Sequence, residues 1–163
     1  MTRPAAVPTL RICRVPWGPT TRYTRAEHRM PEALIVDDSK VMREMEMACL
    51  RAIENVVFTQ AASGLEALER LSLKPYDFVV LDLNMPDISG YEVIEFIRGQ
   101  DKLRALPILV VTTRGDESSR ARALAAGATQ FMTKPFSPEA LLGAVRSLTG
   151  GQSGTGGQAG APA

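Results

Sequence analysis

Cysteine and histidine are both scarce in this chain of 163 residues. Cys13 and Cys49 are too few for a disulfide framework and suit a reducing cytoplasm. The single histidine, His28, has no partner at ligand spacing and is expected to be inert. No apolar run approaches the roughly 18 residues that a membrane helix needs. No apolar segment follows the first basic residues, as a secretory signal would require. A large excess of positive charge is missing as well, since the net charge is +1. That charge is unevenly spread. Residues 1–29 hold six Arg and one Glu, which leaves 13 basic and 17 acidic residues in the rest. An acidic body offers no electrostatic footprint for nucleic acid. With 45% apolar and 23% charged residues the composition is that of an ordinary globular protein. The length suits one domain with a proper core and is short for two. A soluble cytoplasmic domain is the expectation.

Residues 1–29 contain four prolines and no apolar periodicity, and read as a disordered Arg/Pro-rich extension over residues 1–30. The composition changes abruptly at Met30, which is a candidate for the functional start. The main domain is expected over residues 31–149. The last fifteen residues, from Thr149, hold six glycines and no charge, so a flexible Gly-rich tail is expected over 150–163. No further domain follows Leu148 in this sequence, which argues against a transcription factor with an attached DNA-binding domain.

Between these ends the pattern is regular. Short apolar runs bounded by turn signals read as buried strands at Ala33–Val36, Val56–Phe58, Phe78–Leu81 and Ile108–Val111. Thr129–Thr133 is a less apolar fifth strand, expected at an edge. Helices alternate with them. Ser39 is a candidate N-cap for a helix with Met42, Met45, Cys49 and Ile53 on one face. Met42 and Met45 are expected in the core rather than on a Met-rich binding surface. Ser63 and Ser89, each followed three residues on by Glu, match capping boxes. They open helices burying Leu65, Leu68 and Leu71, and Val93, Ile94 and Ile97. Asp116 caps a short helix using Ala121, Leu124 and Ala125, which stops near Gly127. Ser137-Pro138 starts a last helix that buries Leu141, Val145 and Leu148. Five strand–helix pairs in alternation predict an α/β fold. It is a doubly wound, five-stranded parallel sheet with helices on both faces and the flavodoxin-like order 2-1-3-4-5.

The ends of the strands carry the chemistry. The first ends in Asp37 and Asp38, the third in Asp82, the fourth in Thr112 and the fifth in Lys134, all at one edge of the sheet. In the order 2-1-3-4-5 the first and third strands are neighbours, so three carboxylates share a small volume. Their repulsion calls for a cation, and a hard divalent ion such as Mg²⁺ suits oxygen ligands. Lys134 and the Thr112 hydroxyl bracket the site, ready for phosphate oxygens. A carboxylate facing a cation, a lysine and a hydroxyl is placed to attack phosphorus.

The segments Val36-Asp37-Asp38-Ser39, Leu81-Asp82-Leu83-Asn84-Met85-Pro86, Val111-Thr112-Thr113 and Lys134-Pro135-Phe136 resemble the receiver domain of bacterial response regulators. The resemblance covers about residues 32–148. It is strongest to single-domain chemotaxis regulators, helped by Ser39-Lys40-Val41-Met42-Arg43. It implies a stand-alone component of a two-component system, a phosphoprotein rather than an enzyme beyond its own phosphoryl transfer and dephosphorylation. Asp82 would accept a phosphoryl group from a sensor histidine kinase. Asp38 would bind Mg²⁺ directly, with Asp37 assisting and Asp82 and the Asn84 carbonyl completing the set. Lys134 would pair with the phosphoryl group, and Thr112 would hydrogen-bond it. Phe131 would be the aromatic switch, and the Lys134-Pro135 bond would be cis. Phosphorylation would switch binding of a downstream protein, either a motor component in chemotaxis or a phosphotransfer protein. The alternative is a shuttle or phosphate-sink receiver in a phosphorelay. A receptor surface built from the fourth helix, fifth strand and fifth helix is implied, and a monomer or weak dimer, without nucleic acid or membrane insertion. Phe131 departs from the tyrosine common at the switch. Arg114 stands where the family tunes dephosphorylation.

Two other classes fit less well. A phosphatase of the haloacid dehalogenase type carries a second Asp two residues after its nucleophile, where this chain has Asn84. A flavin carrier on the same architecture needs a Ser/Thr/Gly-rich loop after the first strand, where Asp37-Asp38 would repel a phosphate.

Overall fold

The structure, a computed structural model, describes residues 30–150. The expectations about residues 1–29 and about the tail beyond Gly150 lie outside the described residues. Ten elements alternate along the described residues: β1 Glu32–Val36, α1 Lys40–Leu50, β2 Val57–Ala61, α2 Gly64–Leu73, β3 Phe78–Leu81, α3 Gly90–Gly99, β4 Ile108–Thr112, α4 Glu117–Ala126, β5 Gln130–Thr133 and α5 Pro138–Thr149. The strands form one parallel sheet in the order β2-β1-β3-β4-β5, as the alternation predicts.

β3 is fully apolar, and β1 and β4 are apolar apart from Glu32 and Thr112 at their ends, because both faces are covered. Alternation of side chains sorts them into two cores. Leu34, Val36, Val79, Leu81, Ile108 and Val110 meet Ala67 and Leu71 of α2, Val93, Ile94 and Ile97 of α3, and Ala123 of α4. Ala33, Ile35, Phe78, Val80, Leu109 and Val111 meet Leu50 of α1 and Leu141 and Val145 of α5. Each such Leu, Ile, Val or Phe contributes roughly 1.5–3 kcal/mol by leaving water. β5 lies at an edge and is only half buried, as its weaker apolar pattern predicts.

Every helix opens on a capped turn. Ser39, Ser63, Ser89, Asp116 and Ser137 each accept a hydrogen bond from the backbone N–H three residues on. The reciprocal capping box is complete at Ser89, where Glu92 accepts from the Ser89 N–H. At Ser63 it is not: Glu66 accepts from Ala62 N instead and pairs with Arg70 at 2.9 Å. Helix α4 ends at Gly127, whose φ of +116° is left-handed and favours glycine.

Three helix faces differ from expectation. The inward face of α1 is Arg43, Glu46 and Leu50, one residue or about 100° round from the predicted stripe. Met45 is 47% exposed and Met42 half buried, so neither is a core residue. Arg43 can turn inward because its guanidinium donates to the Asp37 carbonyl at 2.6 Å and to Gln60 at 3.0 Å. In α2 the buried set is Gly64, Ala67 and Leu71, and Leu65 is 59% exposed. Small residues face inward there because Gly64 abuts Ile88 closely. In α4 only Ala123 is buried, whereas Ala121, Leu124 and Ala125 face solvent. Alanines occur all round this helix, so hydropathy alone does not mark its inner face.

Gly90, the first residue of α3, packs against the strand that ends in Asp82. A Cβ there would lie 2.4 Å from the Asp82 carbonyl oxygen and 2.8 Å from the Leu83 Cα. Both neighbours are backbone and cannot swing aside. Gly90→Ala is therefore expected to cost about 2–3 kcal/mol as an overpacked contact, read as a lower urea midpoint at unchanged slope. An unchanged midpoint would contradict that packing.

Candidate functional site

Strand register places the acidic groups. Val36 of β1 pairs with Leu81 of β3, so the next residues, Asp37 and Asp82, leave the sheet side by side. Both continue the parity of Ile35 and Val80 and so lean toward α1 and α5. Lys134 follows β5 with the same parity as Met132 and leans the same way. Asp37 is 1% exposed and Asp82 6%, while Asp38 stands at the surface. The three expected carboxylates do converge: one oxygen from each of Asp37, Asp38 and Asp82 lies within 4.8 Å of the others.

Lys134 is drawn into this group. Its ammonium makes a short contact with Asp37 Oδ2 and lies 3.4 Å from Asp82 Oδ2. Burial opposes its charge, but the Asp37 bond and the Asp82 and Asp37 charges win, holding its pKa above the usual lysine value. Lys134 therefore answers the carboxylates directly, besides being in reach of a ligand beside Asp82. The Lys134-Pro135 bond is cis. Asp37 Oδ1 also accepts from Ser39 N at 2.8 Å, and Asp82 Oδ1 from Asn84 N at 3.2 Å.

On the opposite side stands Thr112, fully buried at the end of β4. Its Oγ1 accepts from Asn84 Nδ2 and from Arg114 N, both at 3.3 Å. Asn84 Nδ2 also reaches Thr113 Oγ1 at 3.1 Å. Phe131 pairs in register with Val110 and packs half buried against the core on the α2–α4 side. It thus shares a sheet face with Thr112, whereas Asp37, Asp82 and Lys134 share the other. A cavity of about 520 Å³ opens over the acids, walled by Met42, Met45, Asn84, Thr113, Pro135 and Phe136.

Three further residues support the site in roles that the sequence motifs do not assign. Asp87, in the loop after β3, accepts from Gly64 N at 3.1 Å and Leu65 N at 2.8 Å. Those bonds, the Leu65 one foremost, hold its carboxyl well below the usual range. It ties the loop after Asp82 to the start of α2. Arg43 braces the Asp37 carbonyl. Glu46 lies buried beneath the site, with Oε2 lacking a hydrogen-bond partner among the described residues. The signal of Arg43 and Glu46 in sequence is the spacing 43, 46, 50, visible only if charged residues are admitted to an inward stripe.

One ammonium among three carboxylates leaves an excess of negative charge, and the donors are hard oxygens converging on one point. That set fits a divalent ion such as Mg²⁺. Asp82 lies between this acidic pole and the Thr112 hydroxyl, within reach of Lys134.

The family model for the response regulator receiver domain matches residues 33–146. A chemotaxis protein CheY homolog of Campylobacter jejuni is 35% identical over 125 residues, covering 76% of this chain and 95% of the relative. Among solved structures, chemotaxis response regulator CheY4 of Vibrio cholerae superposes with a TM-score of 0.68 at 33% identity. That match covers 74% of this chain and 99% of CheY4. The receiver domain of a sensor histidine kinase from Pseudomonas aeruginosa, solved with a magnesium ion coordinated in its active-site cleft, gives 0.68 at 28% identity. It covers 75% of this chain and 99% of that domain.

Proposed function

Because this chain belongs to the response regulator receiver domain family, and so to two-component signalling, we propose that Asp82 is its phospho-acceptor and a sensor histidine kinase the donor. The observation that carries this reading is the convergence of Asp37, Asp38 and Asp82 with Lys134 already at Asp82. An Asp82 carboxylate oxygen attacks phosphorus. The phosphorus–nitrogen bond of the phosphohistidine breaks, and its electron pair stays on the imidazole nitrogen.

Asp38, Asp37 and Asp82, with the Asn84 carbonyl, are the residues that would hold Mg²⁺. Bound there, the ion neutralises charge on the phosphoryl oxygens. Lys134 exchanges its bond with Asp82 for one with a phosphoryl oxygen. Asn84 releases the Thr112 hydroxyl, which turns to the same group. Phe131, on the Thr112 face of the sheet, then fills the space that Thr112 vacates. The phosphorylated chain thereby binds a partner protein differently, by shifting a two-state equilibrium.

Likeness to a chemotaxis protein over 95% of that relative's length supports a motor component as the partner. A shuttle role in a phosphorelay is the second reading, favoured by the likeness to a receiver domain of a sensor histidine kinase. Both readings suit a cytoplasmic protein; no described helix is long and apolar enough to cross a membrane.

Incubation with acetyl phosphate and Mg²⁺ is expected to add the mass of one phosphoryl group to the intact chain. EDTA is expected to prevent it. Absence of any Mg²⁺-dependent adduct would overturn the proposal.

A further inference from the structure

Beside the acidic cavity lies a second one, of about 310 Å³, lined by Leu83, Asn84, Met85, Ser89, Tyr91, Arg114 and Arg122. Asn84 lines both, so the second cavity opens next to Asp82 on its α3–α4 side. Its electrostatics are opposite. Where the first is ringed by carboxylates, the second presents two guanidinium groups, one from the loop after β4 and one from α4. Neither makes an ion pair or a side-chain hydrogen bond among the described residues; Arg114 only faces Asp116 electrostatically.

The site is partly organised. The Arg122 guanidinium lies over the Tyr91 ring, 4.0 Å from its centroid. Tyr91 is itself buried, and its hydroxyl donates to the Ser119 carbonyl at 3.4 Å. The Arg122 plane is thus held by a fixed ring. The Glu92 carboxylate, next to Tyr91 in sequence, is occupied by the Ser89 N–H and hydroxyl at 2.8 and 3.0 Å. Leu83, Met85 and the Tyr91 ring supply an apolar wall. A planar anion on a short aliphatic stem matches this arrangement: the stem against the wall, the head against the guanidinium groups.

We infer that this cavity receives a glutamate or aspartate side chain of a partner protein, fixing that partner beside Asp82. The magnitudes select a protein over a free small acid. An exposed ion pair contributes about 0–1 kcal/mol, so a free carboxylate held by one or two of them would bind only at roughly tens of millimolar or above. Within a larger interface the same contact is pre-oriented, and buried Tyr and Arg are residue types that dominate binding there. Because Arg122 and Tyr91, which would hold the carboxylate, take no part in phosphoryl transfer, the inference holds whether or not Asp82 is the phospho-acceptor.

The test is an NMR titration of the full chain with acetyl-Leu-Glu-Leu-amide, its Gln counterpart and glutarate. Saturable shifts are expected at the Tyr91 and Ser89 amides and the Arg122 Nε–H with the Glu peptide, at least five-fold weaker with Gln. Arg122→Gln should weaken the Glu peptide by a similar factor, with its thermal melt confirming the fold, while Asp82→Asn binds it like the wild type. Equal response to the Glu and Gln peptides, or shifts that survive Arg122→Gln, would overturn the inference. Glutarate binding as tightly as the Glu peptide would overturn it too, by making a free small acid the ligand.

Discussion

Exchange of Asp82 for asparagine is expected to leave a folded protein that acetyl phosphate no longer labels. The carboxylate oxygen is the nucleophile in this reading, and an amide oxygen at the same place carries no charge to donate. Losing a nucleophile outright costs on the order of 10³-fold or more in rate, which in a labelling assay is complete loss. Stability argues the other way. Asp82 is almost fully buried next to Asp37, with Asp38 close by and one lysine to answer all three. Removing one charge relieves repulsion, and Asn retains an oxygen for the Asn84 N–H that Asp82 now accepts at 3.2 Å. The 3.4 Å contact with Lys134 is the weaker of that lysine's two. The melting temperature of Asp82→Asn is therefore expected to equal or exceed that of the wild type. Persistent labelling of the folded variant would show that Asp82 is not the acceptor.

The second large effect concerns Glu46, which makes stability depend on pH. Burial is the first cause that raises its pKa, from 4.5 to about 8. Lys134 and Arg43 pull it down, while Asp37 and Asp82 push it up. Between those two pH values the folded state holds a proton that the unfolded state has released. Stability is therefore fully present below pH 4.5, falls as pH rises through that window, and levels off above about 8. At 1.36 kcal/mol per pH unit the loss is a few kcal/mol and at most about 5. Methionine has a similar volume and no charge to bury. Glu46→Met is expected to flatten this slope and to be more stable than wild type at pH 8.5 by about 2–4 kcal/mol. Urea unfolding at half-unit intervals from pH 5 to 9 measures it. Parallel curves for the two proteins would show that Glu46 does not carry the dependence.

The strand ends were readable in sequence because each is an abrupt change from an apolar run to a polar group, as at Leu81-Asp82 and Val36-Asp37. Parallel order then follows from alternation, and the convergence of Asp37, Asp38, Asp82 and Lys134 from that order. Helix faces were less readable where burial does not follow hydropathy. Glu46 and Arg43 point inward because the site above them supplies charges and a carbonyl to meet them. Nothing local to the helix announces that. In α4 the alanines fit either face, and only tertiary packing selects Ala123. Lys134 was expected near phosphate; its grip on Asp37 could not be read from strand parity, which fixes a direction but not a distance.

The five capped turns, at Ser39, Ser63, Ser89, Asp116 and Ser137, have a consequence for charge at the site. Each cap follows a strand, so all five helices start at the sheet edge that carries Asp82. A helix start bears a partial positive charge of roughly half an electron unit, felt over about its first turn. The backbone of this edge is therefore electropositive beneath side chains that are mostly acidic. In the proposed reading, a phosphoryl group added at Asp82 would meet a field that no side-chain substitution removes.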